Sequence, residues 1–424
     1  MQFFTSGMNM TMKKKSWLIV GLLAACLVGG NTQHLSSQHL RKMVDPLIQQ
    51  EVDQGKIPGA VLRISKNGST VYEQAYGYAR RFDFSMEPLE KPEKTTVHHL
   101  YDIASLTKVT ATTTAMMWLA DRGYLHVDDS VCTYIEAFNT PEKKGITIRH
   151  LLTHTAGLYE WYPLYYRADN RAACYALIGS LPLRFPIGAQ RRYSDLGFVL
   201  LGQIIEQVSK RPLEQFLAEH IFGPLGMEHT VYNPLSTGRF TQIAATSFGN
   251  PYEWRMVHDP SLGFQVPEID PDSWNGWRKY VLVGEVNDGN AWYANQGVSG
   301  AAGLFSTAAD LQKLVDMLLS HGQVAGKPFV SAATIEAFLS MDTFKNGLGW
   351  MMDPENAFMK NAPKGSFGHT GFTGTSIAVV PSHHLSVILL VNRQQMGLLP
   401  SQTYYNVSPL RQKVFEAVMK WVSL

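Results

Sequence analysis

The chain lacks an excess of either charge. Its 424 residues carry 37 Lys and Arg against 35 Asp and Glu, a net charge of +2. Three of the lysines, Lys13, Lys14 and Lys15, stand in an N-terminal segment expected to be removed, which would leave about −1. A near-neutral chain gives no electrostatic case for nucleic acid as partner. Cysteine is scarce, with Cys26, Cys132 and Cys174 the only three. That excludes a disulfide framework, and two free, buried thiols are expected at Cys132 and Cys174. Neither H-E-x-x-H nor C-x-x-C occurs, so no metal is expected. The adjacent pair His383-His384 reads as a hairpin turn before the apolar run Leu385–Val391. No apolar stretch reaches the roughly 20 residues that a membrane-spanning helix needs. Internal repeats and low-complexity tracts are also missing.

What is present is the composition of a folded globule: 45% hydrophobic and 17% charged residues, with 9 Trp, 18 Tyr and 20 Phe. The length suits two or three structural units or one large two-lobed enzyme. At the N-terminus, the basic triplet precedes an uncharged 15-residue run, Ser16–Gly30. This is the pattern of an export signal. The end of its apolar core, Leu23-Ala24-Ala25-Cys26, resembles a bacterial lipobox, in which the cysteine is lipidated. An ordinary signal peptide with an incidental cysteine is the alternative. Met10 or Met12 fits the signal start better than Met1. The expected location is the periplasm or cell envelope, with a membrane anchor through Cys26.

Along the chain, Gln38–Gln54 has helical period, and Ala60–Ser65 and Thr70–Tyr76 flank Lys66-Asn67-Gly68-Ser69 as a hairpin. Residues 79–96 read as a loop, because Pro88 and Pro92 interrupt a polar stretch. A helix is expected from Ser105 to Arg122, stopped by Gly123. Ile146–Leu158 reads as a short helix ending at Gly157. Helices follow over Leu196–Val208 and Pro212–Ile221. Ser247–Trp292 is irregular and holds four tryptophans, which suggests a structured lid. Thr307 caps a helix over Ala308–His321, and another covers Ser331–Ser340. The last third returns to strands at Gly347–Met352, Ser376–Val380 and Leu385–Asn392, then a helix over Pro409–Val422. The predicted architecture is α+β: an antiparallel sheet built from both chain ends, flanked by helices, with an inserted, mostly helical lobe. The signal segment takes residues 1–35. The α/β lobe takes about 36–125 and 295–424, and the helical lobe with its lid about 126–294.

Three stretches carry chemistry. In Ser105-Leu106-Thr107-Lys108, one helical turn puts an ammonium beside a hydroxyl. A serine needs a base before it can attack, and a lysine of lowered pKa is one. In Tyr193-Ser194-Asp195, at a helix start, a phenol near an ammonium can ionise and act as a base. In Gly368-His369-Thr370-Gly371-Phe372-Thr373-Gly374-Thr375, glycines at a strand allow close backbone approach, and an N–H there can pair with that of Ser105 as an oxyanion hole.

In this order and spread, the three stretches resemble the motifs of serine β-lactamases and low-molecular-weight penicillin-binding proteins. The likeness runs from about Gln38 to Val422 and is to the class C branch. It extends to the periplasmic penicillin-binding protein 4B group of esterases and carboxypeptidases, and to the lipoprotein N-acetylmuramyl-L-alanine amidases of wall recycling. The resemblance implies a β-lactamase/DD-peptidase-like fold, no cofactor and a monomer. It implies Ser105 as acylated nucleophile, Lys108 and Tyr193 as proton shuttles, and the Ser105 and Phe372 N–H groups as oxyanion hole. Asp195, His369, Thr370 and Gly371 would bind substrate. Two residues depart from the pattern. Asp195 stands where an asparagine donor is usual, and a carboxylate donates only when protonated. His369 replaces lysine, which weakens the charge that holds a β-lactam or peptide carboxylate. Both argue against efficient β-lactamase activity. The expected function is an acyl-enzyme hydrolase of amide or ester bonds, on peptidoglycan-derived peptides. A broad esterase, or a non-catalytic penicillin-binding or wall-sensing lipoprotein, are the alternatives.

Overall fold

A computed structural model of the chain describes residues 37–424. The Cys26 lipidation site lies outside the described residues. The centre is a six-stranded sheet in which every neighbour is antiparallel. Its order is Phe367–Thr370, Ser376–Val380, Leu385–Val391, Gly59–Lys66, Ser69–Phe82 and Pro88–Lys94. The first and last thirds of the chain meet in its middle, in register from Ala60 opposite Val391 to Lys66 opposite Leu385. The tight turn between the first two strands places Asn67 and Gly68 at φ 53° and 72°. That is the geometry Asn-Gly supplies in hairpins.

Strand alternation builds two cores. Leu62, Ile64, Val387 and Leu389 face the helices over 37–53 and Ser408–Val422, packing on Leu40, Val44, Ile48, Val414 and Val418. Val61, Ile388 and Leu390 face the other way, toward Leu311, Leu314 and Leu318 of the helix Ala308–Leu319. This second core continues without a break into the middle of the chain. It takes in Leu151, Ile178, Phe198, Leu201 and Phe216. The mostly helical middle is therefore welded to the sheet layer by shared apolar packing, and a cleft between them has rigid walls.

The expected α+β architecture is the observed one. Several local readings change. Residues 79–96 are not all loop: the second strand runs to Phe82, and Pro88–Lys94 forms an edge strand. Proline is tolerated there because an edge strand has one unpaired side. Gly347–Met352 forms no strand; only bridges at Asn346–Met351 and Met351–Gly368 survive. The helix expected to end at Gly157 covers Ile148–Leu152 alone, because His154 takes a positive φ of 59°. The helix after Ser105 begins with a π-helical stretch, Lys108–Thr113, before the α-helix Thr114–Asp121. Cys132 and Cys174 are free thiols; Cys174 is buried and Cys132 half-buried. Among the described residues no helix is long and apolar enough to cross a membrane.

Candidate active site

The site begins with a strained turn. Ala104, just before Ser105, has φ 47°, a conformation that costs an L-residue energy and persists only when its surroundings enforce it. The enforcing group is Asp102, buried on the short strand Tyr101–Asp102. Its Oδ1 accepts the Ala104 N–H at 2.8 Å and its Oδ2 accepts the Asn287 N–H at 2.7 Å. Burial raises this carboxyl to about 6, against the pull of those two donors. A neighbouring contact holds the turn from behind, where Leu304 donates its N–H to Thr107 Oγ1 at 3.2 Å.

Lys108 is completely buried. Its ammonium has three acceptors: Asp195 Oδ1 at 2.7 Å, the Ala301 carbonyl at 2.9 Å and Ser105 Oγ at 3.1 Å. An ammonium has three protons to give, so this coordination is full. Burial pushes the lysine down, but Asp195 and Tyr193 together outweigh it, and the net direction is upward. A lysine acting alone as the base would need a lowered pKa; the Asp195 carboxylate reverses that sign.

Tyr193 lies against the pair, its ring centroid 5.1 Å from Lys108 Nζ. Burial raises the phenol, Lys108 opposes this, and Asp195 adds to the rise. Ser194 caps the helix Asp195–Ser209: its Oγ accepts the Gly197 N–H at 3.3 Å and donates to the Tyr159 carbonyl at 2.6 Å. The Ser194 N–H donates to Nδ1 of His154 at 3.0 Å. The His154 ring then wedges between Tyr193 and Phe198, with centroids 4.5 and 5.2 Å away.

The third stretch enters from the opposite side. His369 is buried, its ring 6.1 Å from that of Tyr193. Its Nδ1 donates to the Thr370 carbonyl at 2.9 Å. Burial first, then Lys108, depress the imidazole to about 3, so it is neutral at physiological pH. Gly371 presses on the turn that carries Ser105, and its carbonyl accepts from Arg411 at 3.0 Å. The hydroxyls of Thr373 and Thr375 donate to the carbonyls of Asp102 and Ile103, at 2.8 and 3.2 Å. Two backbone N–H groups here, of Ser105 and Phe372, have no acceptor among the described residues.

A cavity of about 310 Å³ opens on Ser105. Tyr193, Asp195 and Phe372 line it, together with Asn250, Asn287 and Asp288, and with Tyr252 and Glu253 from a helix, Pro251–His258, that forms within the stretch expected to be irregular. His369, Thr370 and Gly371 stand behind this surface. Of the aromatics, Trp161 lines the cavity; Trp274 and Trp277 instead pack around Tyr165, at 4.7 and 5.7 Å, and Tyr293. Reading the sequence missed Asp102, His154, Glu253, Asp288 and Arg411. Asp102 was recoverable from its place beside the serine motif. The others sit in stretches whose only sequence signal was helix or irregularity. No cluster of His, Cys, Asp or Glu among the described residues is arranged to hold a metal.

The sheet, the helical layer and this cleft are those of a hydrolase of the β-lactamase superfamily. The chain belongs to the Beta-lactamase family, whose model matches residues 44–407. It is 31% identical over 408 residues to an N-acetylmuramyl-L-alanine amidase of Bacillus subtilis (strain 168), covering 91% of this chain and 88% of that one. It is 34% identical over 389 residues to a protein of Escherichia coli (strain K12) named "Putative D-alanyl-D-alanine carboxypeptidase", covering 86% and 85%. Among solved structures it is similar in fold to EstCE1, a hydrolase with promiscuous acyltransferase activity, with TM-score 0.66 and 22% identity over 91% of this chain and 99% of that one. A class C beta lactamase superposes with TM-score 0.65 at 19% identity, over 91% and 98%.

Proposed function

We propose that the chain is an exported serine hydrolase that cleaves amide or ester bonds of peptidoglycan-derived peptides through an acyl-enzyme on Ser105. The observation that carries this reading is the junction at Ser105. Its Oγ accepts from a fully coordinated ammonium, while its own N–H and that of Phe372 have no acceptor among the described residues. The kinship to an amidase and to a carboxypeptidase-like protein supports the substrate class and the branch within the family. The same reading takes Cys26 as a lipid attachment point at the cell envelope.

Lys108 and Tyr193 act as one coupled acid–base pair. The form that has lost one proton accepts the Ser105 hydroxyl proton as Oγ attacks the carbonyl carbon. The carbonyl oxygen takes negative charge and receives the Ser105 and Phe372 N–H groups. The pair then gives its proton to the departing nitrogen or oxygen, leaving the acyl group on Ser105. A water molecule then gives one proton to the pair and its oxygen to the acyl carbon, the bond to Ser105 Oγ breaks, Oγ takes the proton back from the pair, and the acid leaves. Asp195 holds Lys108 in place, and neutral His369 supports the Tyr193 side of the cleft.

The test is mass spectrometry of the protein incubated with a muropeptide mixture, following products and the Ser105 adduct. Release of a peptide or D-amino acid with a transient adduct is the expected result. Unchanged turnover in Ser105→Ala would overturn it; the expected loss is about four orders of magnitude or more.

A further inference from the structure

Arg411 stands in the first turn of the closing helix, Ser408–Val422. That end of a helix is the positive end of its dipole and disfavours a cation. The side chain is also buried, 9% exposed. It forms no ion pair among the described residues, and its Nε meets no acceptor there. Burial first, then Arg393, depress the guanidinium to about 9, which leaves it charged at neutral pH. A buried cation without a counter-ion is costly, so what it touches is informative.

The guanidinium holds one short loop. Its Nη2 donates to the Gly371 carbonyl at 3.0 Å and to the Thr375 carbonyl at 2.9 Å. Neither oxygen depends on it. The Gly371 carbonyl already accepts the Gly374 N–H at 3.1 Å, and the Thr375 carbonyl accepts the Gly371 N–H at 2.7 Å. The loop is closed by its own backbone, and the arginine adds charge rather than a missing bond. Arg411 does not line the cavity on Ser105, so it acts on the chain and not on a substrate held there.

The Gly371 carbonyl and the Phe372 N–H are the two ends of one peptide group. Its C–N bond has partial double-bond character, and its C=O and N–H point in opposite directions. A cation on the oxygen end draws electron density across that bond and leaves more positive charge on the amide hydrogen. Hydrogen bonds in such a chain strengthen one another by about 10–30% each. The Phe372 N–H has no acceptor among the described residues, and Phe372 lines the cavity. The peptide that carries the Ser105 N–H is served differently. Its carbonyl, that of Ala104, accepts the neutral Thr107 N–H at 2.9 Å and no cation among the described residues. We infer that Arg411 is a positioning residue that polarises the Gly371–Phe372 peptide and makes the Phe372 N–H the stronger of the two oxyanion donors. This rests on the serine hydrolase reading, and it adds to it a charge that works from behind the cleft wall.

The test reads the peptide and the reaction separately. Full-length protein labelled with carbonyl-13C glycine and 15N phenylalanine gives one amide signal for each Gly-Phe bond, and the sequence has three, at Phe198, Phe264 and Phe372. Phe372→Leu assigns the third. In Arg411→Gln the Phe372 nitrogen signal is expected to move upfield, because a less polarised amide nitrogen is more shielded, while the other two stay. Arg411→Lys keeps the charge and is expected to leave the signal near its wild-type position. A parallel assay follows nitrophenyl butyrate hydrolysis. Removing an oxyanion donor outright costs about 10²–10³ in kcat, so a weakened one is expected to cost about tenfold, with KM within about threefold and most of the loss recovered by lysine. Should Arg411→Gln not fold, Arg411→Met serves as the uncharged variant. An unmoved Phe372 signal in the uncharged variant, the same displacement in Arg411→Lys, or equal changes in kcat and KM overturns the inference. An unmoved signal beside hydrolysis that Ser105→Ala abolishes sinks the inference alone. A moved signal in a protein whose hydrolysis survives Ser105→Ala sinks the hydrolase reading alone.

Discussion

Lys108 stands closer to Asp195 than to Ser105, at 2.7 Å against 3.1 Å. One buried cation thus joins the serine to the first residue of a helix ninety positions later. Asp195 raises both Lys108 and Tyr193. The deprotonated form of the pair is therefore scarce at neutral pH, and kcat/KM is expected to climb from pH 7 toward pH 9. In Asp195→Asn both groups fall, so the acid limb of the pH–rate profile moves to lower pH. Loss of the counter-charge also destabilises the fold, by about 3–5 kcal/mol if the lysine stays charged and less as it deprotonates. A limb that stays in place would show that Asp195 does not set the ionisation of the pair.

His369 is expected to keep one charge state across the physiological range. With its imidazole held near 3, its ring-proton NMR signal shows no titration between pH 5 and 8. An inflection near 6.5 would mean that the ring is open to water and can hold an anion. His369→Lys brings a buried cation beside Tyr193, and the expected result is a lower tyrosine pKa and a fall in thermal stability.

His154 positions Tyr193 without touching the cleft. In His154→Ala the Ser194 N–H loses its acceptor, which costs about 1–3 kcal/mol for an unsatisfied buried donor. The Tyr193 ring also loses its support. The expected kinetics are a fall in kcat with a smaller change in KM. Equal changes in both would point to general loosening instead.

The fold and the three motif stretches were legible because they rest on local pattern. Asn67-Gly68 marked the central hairpin, Thr307 and Ser194 preceded strong apolar helices, and Ser105 and Lys108 kept their spacing of three. What stayed hidden depends on contacts remote in the chain. Pro88 and Pro92 read as strand breakers because nothing local says that their strand is an edge. Lys108 read as a base because its carboxylate comes from another motif, 87 residues away. Glu253 and Asp288 lie in a segment without period, and only the closed fold brings them to the serine.

Gly371 tests how tightly the turn at Ser105 is held. A Cβ there would stand 2.5 Å from the Ile103 carbonyl and 2.2 Å from Thr375 Oγ1, nearer than side chains ever approach. Gly371→Ala must push the strand away from Ala104 and Ser105. Activity is expected to fall by about a hundredfold or more, since a displacement of about 1 Å costs that much in a positioned site. Circular dichroism should show the sheet intact.

Stability should carry the signature of Glu253. Its carboxyl keeps a proton up to about 8 when folded and releases it near 4.5 when unfolded. Folding therefore takes up a proton between those values, and stability falls as pH rises through that window. Glu253→Gln removes the dependence, so its gain in Tm is larger at pH 8 than at pH 5. A gain of the same size at both would place the carboxyl in water.

The pairing of Ala60 with Val391 sets a clock on the enzyme. The turn at Ser105 is made early in synthesis, yet the strand that presses on it and the N–H of Phe372 come from the last sixth of the chain. A ribosome-bound chain that holds Ser105 and Lys108 is not expected to cut. Hydrolysis begins only once the C-terminal strands have slotted beside Gly59–Lys66, so truncation anywhere before Val391 should silence the protein however well its helices fold.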